Sequence, residues 1–187
     1  MSPKKDPLKN KDASRAREYV FRLLKSRMRT EHEICQRLKK KNFSDNVIRQ
    51  VIVYFKKLRF IDDKEFAGLW LSSRLKKPLG FRRLRFELKR KGLKNDLIEK
   101  SVNKLKKDYD ETSIVRQLAI QRLKKLRDLE PITIKRRLFS YLAGRGFSLD
   151  VIIEVLRSIK QDDKIEEISE KSFLNADIRR CNADGRR

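Results

Sequence analysis

Three stretches of this chain can be laid over one another: ICQRLKKKNFSDNVI at 34–48, LRFELKRKGLKNDLI at 84–98 and LFSYLAGRGFSLDVI at 138–152. In each, an apolar residue is followed four positions later by leucine (Ile34/Leu38, Leu84/Leu88, Leu138/Leu142). A second apolar anchor comes five positions after the leucine (Phe43, Leu93, Phe147), directly preceded by Asn42, Gly92 or Gly146. Four residues past the anchor stands Val47-Ile48, Leu97-Ile98 or Val151-Ile152, and the copies are 50 and 54 residues apart. A fold that obeys this pattern must build the same local unit three times.

The unit reads as helical. Residues four apart stack on one helix face, and an Asn or Gly then supplies the left-handed backbone that ends the helix. Ser44 or Asp45 can cap the next helix, and Ser148 can do so in the third copy. That next helix has its own apolar stripe, Val47, Ile48, Val51, Ile52 and Phe55 in copy one and Leu97, Ile98, Val102 and Leu105 in copy two. Upstream of each pair lies a further amphipathic segment, at Tyr19–Leu24, Phe66–Leu75 and Ile114–Leu123. The expectation is an all-α chain of three tandem three-helix repeats, over 13–61, 62–108 and 109–161. A basic N-terminal extension (1–12) precedes them, and a short helix with a flexible tail (162–187) follows. One such unit of about 50 residues is marginal alone, so tandem packing is expected.

Adjacent aspartates, Asp62 and Asp63, invite a catalytic or metal-binding reading in a chain otherwise rich in cations. Helix-start chemistry explains them better. With Asp62 as N-cap, Glu65 falls at the third helical position of a capping box, and Ile61 and Phe66 occupy the two positions of a hydrophobic staple. The layout returns as Tyr109-Asp110 before Ile114, and the triplet DDK returns at 162–164. His32 and Cys35 share a helical face, yet with one histidine in the chain and the other cysteine at 181 no tetrahedral metal set can be completed. No Gly-rich phosphate loop and no nucleophile–base pattern is present, so neither cofactor nor enzymatic activity is expected. Two cysteines make no disulfide framework, and the longest apolar run, VIVYF at 51–55, is far short of the roughly 20 residues a membrane helix needs. A cytoplasmic protein is expected.

The net charge is +24. A surplus of that size calls for a polyanionic partner or an acidic protein surface, unless the lysines merely solvate helix faces. It is concentrated: residues 76–107 hold thirteen Lys/Arg against three Asp/Glu, whereas 143–170 hold four against seven. The partner-facing surface is therefore expected in the first two thirds.

The stretch FIDDKEFAGLWLSSRLKKPLGFRRLRFELKRKGL (60–93) resembles the RecX family of regulators of the RecA recombinase. The elements that carry it are Phe60-Ile61-Asp62-Asp63, Phe66-Ala67, Arg74, Gly80, Glu87-Leu88 and Lys91-Gly92. LLKSRMRTEHEICQRLKKKNF (23–43) is similar to the family's first repeat, with its leucine pair, its arginine and its Ser/Thr-capped helix. The link KKPLGFRR departs from the family's usual Gly-x-Gly-Pro-like turn, and Asn42 replaces a glycine. The resemblance spans about 13–160 and implies helix-turn-helix-like repeats in an elongated, curved molecule. It also implies binding to the RecA–DNA filament and inhibition of its extension, ATPase, strand exchange and coprotease functions; a monomer is expected. A stand-alone, sequence-nonspecific DNA-binding protein or transcription regulator is the alternative.

Helical register picks the contact residues. In copy two, Phe81, Leu84 and Leu88 take the core side, leaving Arg82, Arg83, Arg85, Lys89 and Arg90 for the partner. Copy one offers Arg37, Lys39, Lys40 and Lys41, with Arg49, Lys56 and Lys57 on the next helix; copy three offers Lys135, Arg136 and Arg137. Arginine, dense in copy two, suits carboxylate and phosphate through its planar fork. Trp70 and Phe86 read as core, with an exposed contact as the alternative for Phe86. Arg145, Arg157 and Lys160 are expected to face solvent.

Overall fold

The structure, a computed structural model, describes residues 11–126 and 128–162, with side chains as far as Ile159. Among these residues there are nine helices and no strand: α1 (Lys11–Ser26), α2 (Glu31–Lys39), α3 (Asp45–Lys57), α4 (Asp63–Arg74), α5 (Phe81–Arg90), α6 (Asn95–Lys106), α7 (Glu111–Leu123), α8 (Pro131–Gly144) and α9 (Leu149–Asp162). They form three tandem three-helix repeats, α1–α3, α4–α6 and α7–α9. The expected N-terminal extension lies outside the described residues except for Lys11 and Asp12, which open α1, and the short helix and tail beyond Asp162 lie outside them too.

The repeated spacing has one physical cause. Asn42, Gly92 and Gly146 all have positive φ, at 58°, 78° and 81°. In each copy the residue after it donates its backbone N–H back to the leucine five positions earlier: Phe43 to Leu38, Leu93 to Leu88, Phe147 to Leu142. Asn42, Gly92 and Gly146 themselves donate to Lys39, Lys89 and Ala143. This is the Schellman arrangement, which satisfies the last carbonyls of α2, α5 and α8 and folds an apolar anchor over the helix end. Arg59 (φ 57°) ends α3 the same way, with Phe60 donating to Phe55, although no Asn or Gly announces it.

At the starts, Thr30, Ser44, Asp62 and Asp110 are N-caps whose side chains accept from Glu33, Val47, Lys64 with Glu65, and Ser113. Ile61 and Phe66, the staple residues, are both buried. Repeat one closes around Val20, Ile34, Leu38, Val51, Ile52 and Phe55, with Ile61 completing the cluster. Repeat three closes around Val115, Leu118, Phe139, Leu142, Phe147, Ile152 and Val155. The middle repeat buries Phe66, Leu71, Leu84, Leu88, Leu93, Ile98 and Val102.

By backbone proximity the chain divides into two compact units that do not coincide with the repeats. One takes the described residues up to Lys76 together with Arg85–Leu105; the other takes Lys77–Leu84 and everything described from Lys106 onward. Each unit contains one helix-to-helix joint of the same design. In the first, the Thr30 hydroxyl, fully buried at the start of α2, donates to the Lys91 carbonyl past the end of α5 at 2.7 Å. The next N–H of α2, that of Glu31, donates to the Asp63 carboxylate at 2.9 Å. His32 lies so close to Gly92 that a β-carbon there would meet its ring at 2.1 Å. In the second unit, the N–H groups of Gly80 and Arg82 at the start of α5 donate to the carbonyls of Arg145 and Gly146 past the end of α8, each at 3.0 Å. The N–H between them, that of Phe81, donates to the Glu111 carboxylate at 3.1 Å. A β-carbon on Gly80 would fall 2.1 Å from the Gly146 carbonyl oxygen, so only glycine allows this approach.

The acidic doublets are thereby explained. Asp62 and Asp110 cap their own helices; Asp63 and Glu111, one residue later, cap the middle helix of the preceding repeat. Asp63 belongs to no group of three or more His, Cys, Asp or Glu that could hold a metal ion among the described residues. Burial pushes its carboxyl up, against the bond from Glu31. Glu33, in the same joint, accepts from Arg27 at 3.0 and 3.2 Å and from Lys91 at 2.9 Å. Burial alone would raise its pKa, but these two cations outweigh burial and hold it below the ordinary glutamate range.

Two outcomes are expected. Asp62→Ala and Asp63→Ala should each lower unfolding stability by about 1 kcal/mol, measured in urea. Their amide-exchange signatures should differ: faster exchange at Lys64 and Glu65 for the first, and at Glu31, one repeat upstream, for the second. Exchange confined to α4 in both variants would disprove the cross-repeat cap. For Glu33, a depressed carboxyl contributes stability that is present above its unfolded pKa and lost as pH falls through its lower folded value. Thermal melts should therefore weaken on acidification below the ordinary glutamate range, and Glu33→Gln should flatten that acid limb.

Candidate partner-binding face

Helix α5 has the sequence FRRLRFELKR, and its apolar residues share one side: Phe81 is 8% exposed, Leu84 and Leu88 fully buried. Arg82, Arg83, Phe86, Lys89 and Arg90 are exposed. The copy-two cluster is thus displayed by one continuous helix, except for Arg85. Its guanidinium is half-buried and holds Glu99 with two bonds of 2.8 and 3.0 Å. Glu87 is likewise half-buried and paired with Arg74 at 2.7 Å. Phe86 is not core; at 49% exposure it stands among the cations with the Arg90 guanidinium 5.9 Å from its ring. A helix start can itself bind anions, but here the N–H groups of Gly80, Phe81 and Arg82 are taken by the joint with α7 and α8. Anion attraction on α5 therefore rests on side chains.

Trp70 is half-buried rather than core. It stacks on Phe66 at 5.8 Å, and the cations of Arg74 and Lys91 lie 4.5 and 4.6 Å from its ring centre. Each such contact contributes on the order of 1 kcal/mol. Lys91 thereby joins the α5 end to both Glu33 and Trp70, and its charge is spent inside the protein.

The other expected contact residues are dispersed. Arg37, Lys39, Lys40 and Lys41 are exposed at the end of α2, where Lys39 reaches Asp45 at 3.7 Å. Lys41 lies 6.0 Å from the Tyr19 ring, at the edge of an open cleft of about 480 Å³ that also takes in Arg15, Arg22 and Phe43. On α3, Arg49 and Lys57 are exposed, while Lys56 pairs with Glu31 at 2.5 Å. On α8, Arg136 and Arg137 are exposed but Lys135 is half-buried. Arg145, expected in solvent, is half-buried: it donates to the Pro78 carbonyl at 3.0 Å and covers the Tyr141 ring at 4.7 Å. Its position beside Gly146 in the joint explains the difference. Arg157 is exposed, and the Lys160 side chain lies outside the described residues.

Three tandem three-helix repeats, with no strand among the described residues, define an all-α repeat protein, and comparison with known proteins narrows the class. The first, second and third three-helix domains of RecX match residues 16–55, 62–102 and 108–156, in that order. The chain belongs to the RecX family of regulatory proteins. Regulatory protein RecX of Clostridium acetobutylicum is 30% identical over 147 residues, covering 77% of this chain and 68% of that protein. The Streptomyces coelicolor protein of the same name is 28% identical over 174 residues, covering 91% and 89%. The crystal structure of RecX from Lactobacillus salivarius superposes with a TM-score of 0.72 at 19% identity, over 80% of this chain and 97% of that one, which shows the shared fold. No helix among the described residues is long and apolar enough to cross a membrane.

The difference between Arg85 and Arg82 is measurable. Arg82→Gln should lower the salt dependence of binding to a DNA oligonucleotide by about one counterion. Arg85→Gln should change it less, and should cost under about 1 kcal/mol of stability by releasing Glu99. Equal changes in salt slope would mean that Arg85 abandons Glu99 when a phosphate arrives.

Proposed function

We propose that the chain binds the filament of a RecA-type recombinase on DNA and restrains its extension, ATP turnover, strand exchange and coprotease activity, with the exposed face of α5 as the principal contact. The observation that carries this reading is the coincidence of two facts. All three RecX domains are present in order. And the densest basic segment of a chain with a surplus of 24 positive charges is displayed on α5 of the second of them. Arg82, Lys89 and Arg90 offer the forks and point charges that carboxylates and phosphates take. Arg83 is on the same side; Arg37, Lys40 and Arg136 are secondary contacts, and Arg85, Lys39 and Lys135 contribute less because each is paired or half-buried. The partner in this reading is the filament, with weak, sequence-indifferent contact to bare DNA, and the protein acts as a monomer without catalysis of its own.

Added below equimolar ratio, the purified protein should slow ATP turnover by the recombinase on single-stranded DNA; no effect at equimolar protein would overturn the reading. Replacing Arg82, Lys89 and Arg90 together with Gln should weaken filament capture tenfold or more, since ~0.5–1 kcal/mol per lost charged contact sums past the 1.4 kcal/mol that makes tenfold. Exposed Lys100, Lys104 and Lys125, changed in the same way, are the control for net charge. Equal losses in the two triple variants would remove α5 from its assigned role.

A further inference from the structure

Resting on the reading of α5 as the contact, we infer that this face is a stacking platform for single-stranded nucleic acid: Phe86 takes the face of a base while Arg82, Lys89 and Arg90 take the neighbouring phosphates. Phe86 is 49% exposed on a helix whose other large apolar residues, Phe81, Leu84 and Leu88, are at most 8% exposed. Residues three and four apart share a helix face, so its neighbours on the surface are Arg82 and Arg83 one turn before and Lys89 and Arg90 one turn after, all exposed. The Arg90 guanidinium lies over the ring, 5.9 Å from its centre, and brings a phosphate-binding cation beside it. The one carboxylate of the helix, Glu87, is half-buried against Arg74.

An aromatic ring ringed by cations complements a ligand that presents flat apolar faces and negative charges in close alternation. A single strand does this; a duplex offers its phosphates but keeps its base faces stacked inside. An acidic protein segment with an apolar side chain would satisfy the same charges, and the test separates it from nucleic acid.

The full-length protein is titrated into labelled oligothymidine of about 16 nucleotides and into a duplex of equal length, with fluorescence anisotropy as the readout and circular dichroism as the check on folding. Filament capture is measured on the same variants. Phe86→Ala should weaken oligothymidine binding about tenfold, the loss of one base–aromatic stack. Phe86→Tyr should restore it, duplex binding should stay within about twofold, and the salt slope should be unchanged because no charge is removed. Arg90→Gln should instead weaken both ligands and lower the slope by about one. Undiminished oligothymidine binding by Phe86→Ala, or an equal loss on duplex, overturns the stacking platform. Loss of filament capture without loss of oligothymidine binding also overturns it and assigns the ring to a protein surface, leaving α5 as the contact. Intact filament capture by the Arg82, Lys89 and Arg90 triple variant would instead remove the underlying reading, whatever Phe86 does.

Discussion

The fold depends on what happens where helices end. A helix leaves its first N–H groups and last carbonyls without intrahelical partners, and burying them unpaired costs more than a neutral hydrogen bond returns. Here the joints solve both problems together. The carbonyls just past the ends of α5 and α8 are received by the start of an earlier middle helix, through the Thr30 hydroxyl in one unit and through the N–H groups of Gly80 and Arg82 in the other. The remaining N–H of each start is taken by an acidic side chain, Asp63 or Glu111. Opposite partial charges at the two helix ends also face each other, which adds a favourable dipole contribution.

These joints govern which cations remain for a partner. Lys91 and Arg145 follow α5 and α8, in the positions where basic residues complement a helix end. The structure draws both inward, onto Glu33 with Trp70 and onto Pro78 with Tyr141. Arg85 and Lys56 are neutralised by Glu99 and Glu31. The α5 face keeps its charge because the side chains of Arg82, Lys89 and Arg90 are exposed on the side of the helix opposite Leu84 and Leu88. Charge density along the sequence and charge available at the surface are therefore different quantities, and α5 is where they agree.

The repeat was legible from the sequence because its cause is local. A leucine, a left-handed residue and an apolar anchor lie within six positions, and the chain states that pattern three times; the Asp62 and Asp110 caps follow the same logic. The Arg59 turn is not legible in this way, because an arginine in the left-handed region carries no compositional mark. Asp63 accepts from the N–H of Glu31, 32 residues upstream, a separation that no spacing rule covers. Arg145 was misplaced for the same reason, its acceptor at Pro78 being 67 residues away. For Phe86 the sequence leaves core and exposed contact both open, and the structure selects the second, in keeping with a helical phase off the line of Leu84 and Leu88. What could be read was periodic; what could not was contact between segments far apart in the chain.

The second acid of each doublet sets a direction. Asp63 and Glu111 complete helices that the chain has already passed, α2 and α5, and the start of α5 also requires the carbonyls of Arg145 and Gly146. During synthesis from the N-terminus, each of the first two repeats therefore leaves the ribosome with a helix start unfinished until part of its successor has emerged. Domains usually mature in the order in which they are made; here maturation trails emergence by one repeat. The helix that bears the basic face has to wait for residue 146, so a chain stalled before that point would carry the arginines without the frame that presents them.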